Sequence, residues 1–558
     1  MVSVLLIWGY MMATCYLLGF ATLKVISGGQ EYPIKKESSF LYAGIVVTTV
    51  YAQFFSLFYK VGLVANVIML ILCAVCVFRY RKELDQRFHT LRLTVTPVKA
   101  GVTVLLLLLF AYGTSTGVIH YDTGLYHAQS IRWIEEYGIV PGLGNLHSRL
   151  AYNSASFCLS ALYSFAFLGG QSYHCVAGFM AFLLALVCRE GFTRERIRTP
   201  KLSGFVRVMG VYYLLIIFDE MVSPASDYFM VLGVFYILIR WLDLTEKEER
   251  SYLPYGLLCI MAVWLVTVKL SGALILFLTI KPAWMMIREK RGKEIAKFLG
   301  LGFFTAIPFL FRNVILSGWL LYPFTLIDLF DFDFKIPKKV ADYDAREIQV
   351  WGRGFSDVSR YDESISHWLP DWAMALDGVN KVFLLLAFAS LVMFLGLCIY
   401  TIQKRQKEML DFLLVTGTVA GCFLFWLTSA PLIRYGCVYL WVLPVLVWGF
   451  FYLKISPGID RYKLYLLFLL FVGCYKAYAF GGELLQETTG KYLIRQKDYD
   501  NFETISYELH GYTFYYPESG DKTGYDDFPA SPVKAEDIFR GDTIKKGFAD
   551  VIHSEDNQ

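Results

Sequence analysis

The chain has 558 residues, of which 56% are hydrophobic and only 18% charged, with a mean hydropathy of +0.47. A soluble domain carries about 25% charged residues, so this chain is too apolar for water throughout, and collagen-like, disordered and disulfide-scaffold classes are excluded. The net charge of +4 is too small to argue for nucleic acid, whereas the 17% aromatic share suits a protein with many membrane crossings.

Apolar runs long enough to span, or nearly so, predict helices near 4–23, 40–58, 62–78, 100–118, 172–188, 204–218, 224–242, 254–267, 269–287, 297–317, 380–402, 409–428, 432–453 and 463–481. The first run lacks a basic leading segment and continues into further spans, so it reads as a helix rather than a signal peptide. Most of the eleven cysteines lie inside these runs, where they behave as small hydrophobes.

The run 154–168 is apolar but barely 15 residues long. Charge decides its placement. The loops 79–99 (Arg79, Arg81, Lys82, Arg87, Arg92, Lys99) and 189–203 (Arg189, Arg194, Arg196, Arg198, Lys201) are both basic and both expected on the cytoplasmic side. An even number of crossings must separate them, and 100–118 with 172–188 already supplies two. Residues 154–168 are therefore expected to lie flat in the outer interface. Other basic groups then fall inside: Lys24, Lys35 and Lys36; Arg288 to Lys297; Lys404 to Lys407; Lys454, Arg461 and Lys463. Both termini and the polar segments 119–153, 319–379 and 483–558 fall outside. In the tail, TISYEL (504–509) and YTFYY (512–516) flank His510-Gly511, a predicted hairpin.

Ionisable groups set against apolar spans mark candidate functional positions. Five stand at the outer ends of predicted helices. His120-Tyr121-Asp122 with Tyr126 and His127 follows the span 100–118; as a local feature, Asp122 also suits a helix cap. Asp219-Glu220 and Asp227 flank Ser223-Pro224-Ala225-Ser226, which otherwise reads as a polar turn. Lys269 sits between two short apolar runs, where snorkelling is the alternative. Arg312-Asn313 and Arg434-Tyr435 are each compatible with headgroup anchoring. Together, two carboxylate clusters and three cations make the inventory of an enzyme that takes a sugar from a lipid phosphate: carboxylates for base work, cations for phosphate.

In this order the motifs resemble the GT-C superfamily of integral membrane glycosyltransferases, over roughly residues 100–455. The resemblance rests on Tyr121-Asp122 with Tyr126 and Ala128, Gly169-Gly170 before the next span, Ser223 to Asp227, Lys269, RNVILSGWLLYPF (Arg312 to Phe324) and Arg434-Tyr435. The tail, with Phe539-Arg540-Gly541 and Gly547-Phe548, is similar to that of a group of bacterial polytopic membrane proteins of unknown substrate. The resemblance implies an all-α polytopic bundle of about fourteen transmembrane helices with exoplasmic juxtamembrane helices. Its expected parts are extra helices (1–99), a core (100–318, first outer loop 119–171), an exoplasmic loop (319–379), later helices (380–482) and a small hairpin or α/β tail (483–558).

The implied reaction moves a sugar from a polyprenyl-phosphate-linked sugar or glycan to an acceptor hydroxyl, at the periplasmic face of a bacterial inner membrane. The acceptor, whether glycan, lipid or protein, is not specified. Asp122 and Asp227 are the implied catalytic carboxylates. Tyr121, Tyr126, His127, Asp219 and Glu220 would position donor or acceptor, and Lys269, Arg312, Asn313, Arg434 and Tyr435 would bind the lipid phosphate. Asp122 is followed by Thr123 instead of a second acid, which leaves a divalent cation, Mg or Mn, open. Two rival readings are an O-antigen or capsule-type polymerase, for which Arg346, Arg353 and Arg360 in the loop 319–379 are the candidates, and a lipid-linked glycan transporter or flippase.

Overall fold

A computed structural model describes residues 1–28, 36–455, 463, 466–467, 470–478, 481 and 491–550. The helices used below are α1 (Val2–Ile26), α2 (Glu37–Ser56), α3 (Leu63–Thr94), α4 (Pro97–Ser115), α5 (Ala128–Glu136), α6 (Ala155–Leu162), α7 (Val176–Arg189), α8 (Leu202–Ile216), α9 (Ser226–Thr245), α10 (Tyr252–Val268), α11 (Ile280–Arg288), α12 (Gly292–Ser317), α13 (Lys338–Gly352), α14 (Ile365–Ala375), α15 (Gly378–Lys404), α16 (Leu410–Ser429) and α17 (Ile433–Ile455). Among the described residues, ten helical segments are long and apolar enough to cross a membrane. This is the architecture of a polytopic integral membrane protein. The expected span 463–481 and the basic residues Lys35 and Arg461 fall wholly or partly outside the described residues.

Helix α9 is apolar round its middle turns and buried along most of its length, which places it at the centre of the bundle. Helices α3 and α15 leave most of their apolar surface uncovered, which suits a lipid-facing wall. Helices α1 and α2 cross at Gly19 and Gly44. A Cβ on Gly44 would lie 1.9 Å from the Cys15 carbonyl oxygen, and one on Gly19 would lie 2.0 Å from that of Phe40. Small residues at such crossings let backbones approach closely without a hydrophobic driving force.

Three local readings change. Helix α3 continues past the expected end at residue 78 to Thr94, through non-helical angles at Tyr80. The apolar run stops there, but the polar residues beyond it remain helical, with Leu84 buried and Arg87 over the Phe40 ring at 4.5 Å. Residues 270–279 form a 3-10 segment rather than the start of an α-helix. The run 154–168 forms α6 and a short turn; eight helical residues reach only about 12 Å and cannot span. Yet α6 does not rest on an open interface. Phe157, Leu159 and Leu162 are buried, and α6 packs against α2, α5 and α10.

Helix ends sort into two sets. One end is basic and laced by ion pairs: Lys36 and Arg240 meet Glu190, and Arg207 and Arg240 meet Asp243 at 2.5 and 3.1 Å. These contacts tie the start of α2 and the body of α8 to the ends of α7 and α9. The opposite end carries the long loops. There the tail hairpin β1 (Thr504–Leu509) and β2 (Tyr512–Pro517) pairs antiparallel around His510-Gly511, both at positive φ, as expected. The tail is not a separate piece. Phe514, Ile538, Ile544 and Phe548 share one apolar cluster with Trp133 of α5, with Val140, Leu143 and Leu150 of the stretch after it, and with Leu316 of α12.

Candidate functional site

At the loop end, four distant stretches of chain bring acids and bases together. Asp122 lies just past the end of α4, where a π-helical turn (Thr123–His127) leads into α5. Such turns are rare and are frequent at functional sites. Asp227 stands in the first turn of α9, where the helix N-terminus favours a carboxylate. Lys269 closes α10, at the break into the 3-10 segment. Arg434 opens α17, which departs from helical angles at Gly436. A Cβ there would lie 2.4 Å from the Trp426 ring, so only glycine lets the chain turn so close to α16.

Arg434 is the hub. Its Nη2 donates to Asp122 Oδ2 at 2.6 Å, its Nε lies 3.5 Å from Asp227 Oδ2, and its Nη1 donates to His120 Nε2. Lys269 pairs with the other oxygen of Asp227 and lies 3.5 Å above the Tyr435 ring. The His120 backbone N–H donates to Ser223 Oγ at 2.7 Å, which joins the first outer loop to the turn before α9. Burial, followed by the neighbouring Arg434 charge, pushes the His120 imidazole below its ordinary range.

Two cavities flank this hub. One, about 250 Å³, is lined by Tyr126, Tyr152, Lys269, Asn313, Trp426 and Tyr435. The other, about 450 Å³, is lined by Glu220, Tyr228, Asp377, Arg434 and Trp441. The adjacent residues Arg434 and Tyr435 thus line different cavities. A third, apolar groove of about 400 Å³ between α1, α2, α10 and α12 lies away from this chemistry.

The other sequence candidates distribute around these parts. Tyr126 and Asn313 line the smaller cavity, and Asn313 donates to the Leu320 carbonyl at 3.0 Å. Glu220 lines the larger one and accepts from Tyr228 at 2.7 Å. His127 is buried with its ring 4.4 Å from that of Tyr126. Asp219 lies 3.6 Å from Lys476. Tyr121 turns outward and donates to Asp521 of the tail at 2.5 Å, with Lys522 over its ring at 3.9 Å. Arg312 is not brought into the hub. It is buried, and its guanidinium donates to Ser56 Oγ, Asn153 Oδ1 and the Gly138 carbonyl at 2.5, 3.2 and 3.2 Å.

The residues present do not fit a divalent cation. Among the described residues no group of three or more His, Cys, Asp and Glu side chains is placed to hold a metal, and the two hub carboxylates already face Arg434 and Lys269. Sequence reasoning names His120 and Ser223 among its polar clusters without giving either a role, and it passes over Tyr228 and the tail pair Asp521-Lys522. His120 carried a signal, being two residues before Asp122; the tail carried none.

A family model described as a domain of unknown function (DUF8201) matches residues 1–441. No curated protein and no solved structure matches the chain. The family match covers well over half of the 558 residues, and the chain belongs to the DUF8201 family.

Proposed function

We propose that the protein is a membrane glycosyltransferase of the GT-C type, a bundle of about fourteen transmembrane helices that moves a sugar from a polyprenyl-phosphate-linked donor to an acceptor hydroxyl. The observation that carries this reading is the convergence of Asp122, Asp227, Lys269 and Arg434 between two cavities at one end of the bundle. Lys36, Arg189, Arg207 and Arg240 gather at the opposite end, and the positive-inside rule makes that end cytoplasmic. The hub then faces the exoplasmic side, the periplasm if the membrane is a bacterial inner one.

In the proposed reaction the acceptor oxygen attacks the anomeric carbon and the bond from that carbon to the phosphate oxygen breaks. The electron pair leaves with the lipid phosphate, and the acceptor proton passes to Asp122. A positioned base of this kind contributes about 10²–10⁴-fold. Both hub cations are already matched by carboxylates, so an incoming phosphate must compete for them. A phosphate that draws Arg434 away from Asp122 frees that carboxylate to accept the proton, which couples donor binding to base release. No step requires a metal. The smaller cavity, walled by tyrosines and a tryptophan with Asn153, Asn313 and Ser154 between them, has the aromatic faces and neutral hydrogen-bonding groups that suit a sugar ring.

The polymerase reading loses support because its arginines are engaged within their own loop. Arg353 donates to the Tyr361 carbonyl at 2.9 Å, Arg346 lies over the Tyr361 ring, and Arg360 grips Glu363 at 2.7 Å. For transport, ionisable groups near the bilayer midplane would be expected, whereas the hub groups stand at helix ends.

The test is transfer from a polyprenyl-phosphate sugar by purified protein in lipid nanodiscs. Asp122→Asn should lower turnover by two orders of magnitude or more while donor binding persists. Full turnover in that variant would remove Asp122 as the base, and absence of transfer with any lipid-phosphate donor would remove the reaction class.

A further inference from the structure

The larger cavity has a chemistry of its own. Two carboxylates line it, Glu220 and Asp377, and four aromatic rings wall it, Tyr212, Tyr213, Tyr228 and Trp441. The rings are inclined to one another. Trp441 meets Tyr212 at 5.2 Å and 65°, and Tyr213 at 6.3 Å and 59°.

The walls are fixed from behind. Asp377 caps α15, accepting from the Asn380 backbone at 3.0 Å and its side-chain amide at 2.6 Å, and Asn380 Oδ1 in turn accepts the Trp441 indole N–H at 2.9 Å. Tyr228 is held by its bond to Glu220. Among the described lining residues the cation is Arg434, which also pairs with Asp122 and lies 3.5 Å from Asp227, so its charge is already matched.

Away from Arg434, an anion placed between Glu220 and Asp377 would meet two carboxylates and, among the described lining residues, no second cation. A water-filled apolar-walled space gains little from aromatic rings. A cation gains from both features, since ring faces attract ammonium groups and the carboxylates supply the opposite charge. Size agrees: a cavity of about 150 Å³ accepts benzene, so one of about 450 Å³ has room for an amine-bearing headgroup or an amino sugar.

We infer that the cavity between α8, α9, α15 and α17 is a binding site for an organic ammonium group, held by Glu220 and Asp377 inside an aromatic cage. This inference does not depend on the transfer reaction; it concerns recognition, and a direct binding measurement tests it. The ammonium group can arrive on a soluble amino sugar or on the headgroup of a membrane lipid.

Two arms separate these sources, using full-length protein. In the first, binding of glucosamine and of glucose is compared by titration calorimetry in nanodiscs made only of phosphatidylglycerol. In the second, retention of phosphatidylethanolamine against phosphatidylglycerol of matched chains is compared by native mass spectrometry. The site predicts at least tenfold preference for the amine-bearing probe in one arm. Preference for glucosamine identifies a soluble ligand, and preference for phosphatidylethanolamine identifies a headgroup. In the preferred arm, Glu220→Gln and Asp377→Asn should each reduce the preference at least fivefold in protein with an unchanged thermal transition. Equal treatment of amine and neutral or anionic probe in both arms by the unaltered protein overturns the inference, as does a preference that survives both substitutions.

Discussion

Arg434 donates to Asp122 at 2.6 Å although 312 positions of chain separate them, and its Nε also lies 3.5 Å from Asp227. One guanidinium thus holds together the loop after α4, the head of α9 and the head of α17. The geometry depends on a planar fork of donors, which lysine lacks. Arg434→Lys should therefore lower kcat/KM for a lipid-phosphate donor by about 10²-fold, mostly through a raised KM, while the protein stays folded. Steady-state kinetics on that variant checks this; an unchanged KM would leave Arg434 a packing residue.

At the basic end, Asp243 offsets Arg207, which has no exposed surface, at 2.5 Å, and also meets Arg240 and Arg196 at 3.1 and 3.2 Å. Removing one partner of a buried pair costs about 3–5 kcal/mol, because the remaining charge is stranded. Asp243→Asn should lower the thermal transition in detergent markedly, and adding Arg207→Met should recover part of the loss. A transition within about 1 °C of the unaltered protein would show that water solvates this network.

Glu135 of α5 is buried beneath the tail, accepting from Ser172 at 2.9 Å and from the Tyr525 hydroxyl at 2.5 Å. Burial raises its carboxyl to about 7, above the usual 4.5. The docked state therefore favours the protonated form. Its contribution is complete below about 4.5 and is lost as pH rises through about 7, to an extent of at most about 3 kcal/mol. Protease cleavage within residues 491–550 should be faster at pH 8 than at pH 5.5 after correction for protease activity. Glu135→Gln should flatten this dependence; an unchanged pH profile in that variant would place the sensitivity elsewhere.

The α1–α2 crossing gives a packing prediction. Gly44→Leu places a side chain where the Cys15 carbonyl already stands, and overpacking of this kind costs at least about 1–3 kcal/mol. Gly9, on the same helix as Cys15, has open space around it, so Gly9→Leu should leave the thermal transition unchanged. Equal behaviour of the two variants would contradict the close crossing.

Much of this was legible in the sequence because it is local. Apolar runs located the ten long apolar helices but not α13 and α14 in the polar segment 319–379, charge parity kept 154–168 from being read as a span, and alternation around His510-Gly511 located the hairpin. The five polar positions were also visible, since each interrupts or ends an apolar run. What the sequence hid was pairing. Nothing near Lys269 announces that Asp227 neutralises it, and nothing near Arg312 announces that neutral oxygens of α2 and the first loop surround it. The docking of the tail through Phe514 and Phe548 onto Trp133 and Leu143 is similarly a contact between segments some four hundred residues apart, without a local period to betray it.

The central claim is that Asp122 is the base of a sugar transfer at the outer face. The most direct measurement is mass spectrometry of surface glycans in cells that lack the gene and are supplied with either the unaltered protein or Asp122→Asn at equal membrane abundance. The account predicts that one glycan substitution disappears without the gene, returns with the unaltered protein and stays absent with Asp122→Asn. Full restoration by Asp122→Asn, or identical glycans with and without the gene, would contradict it.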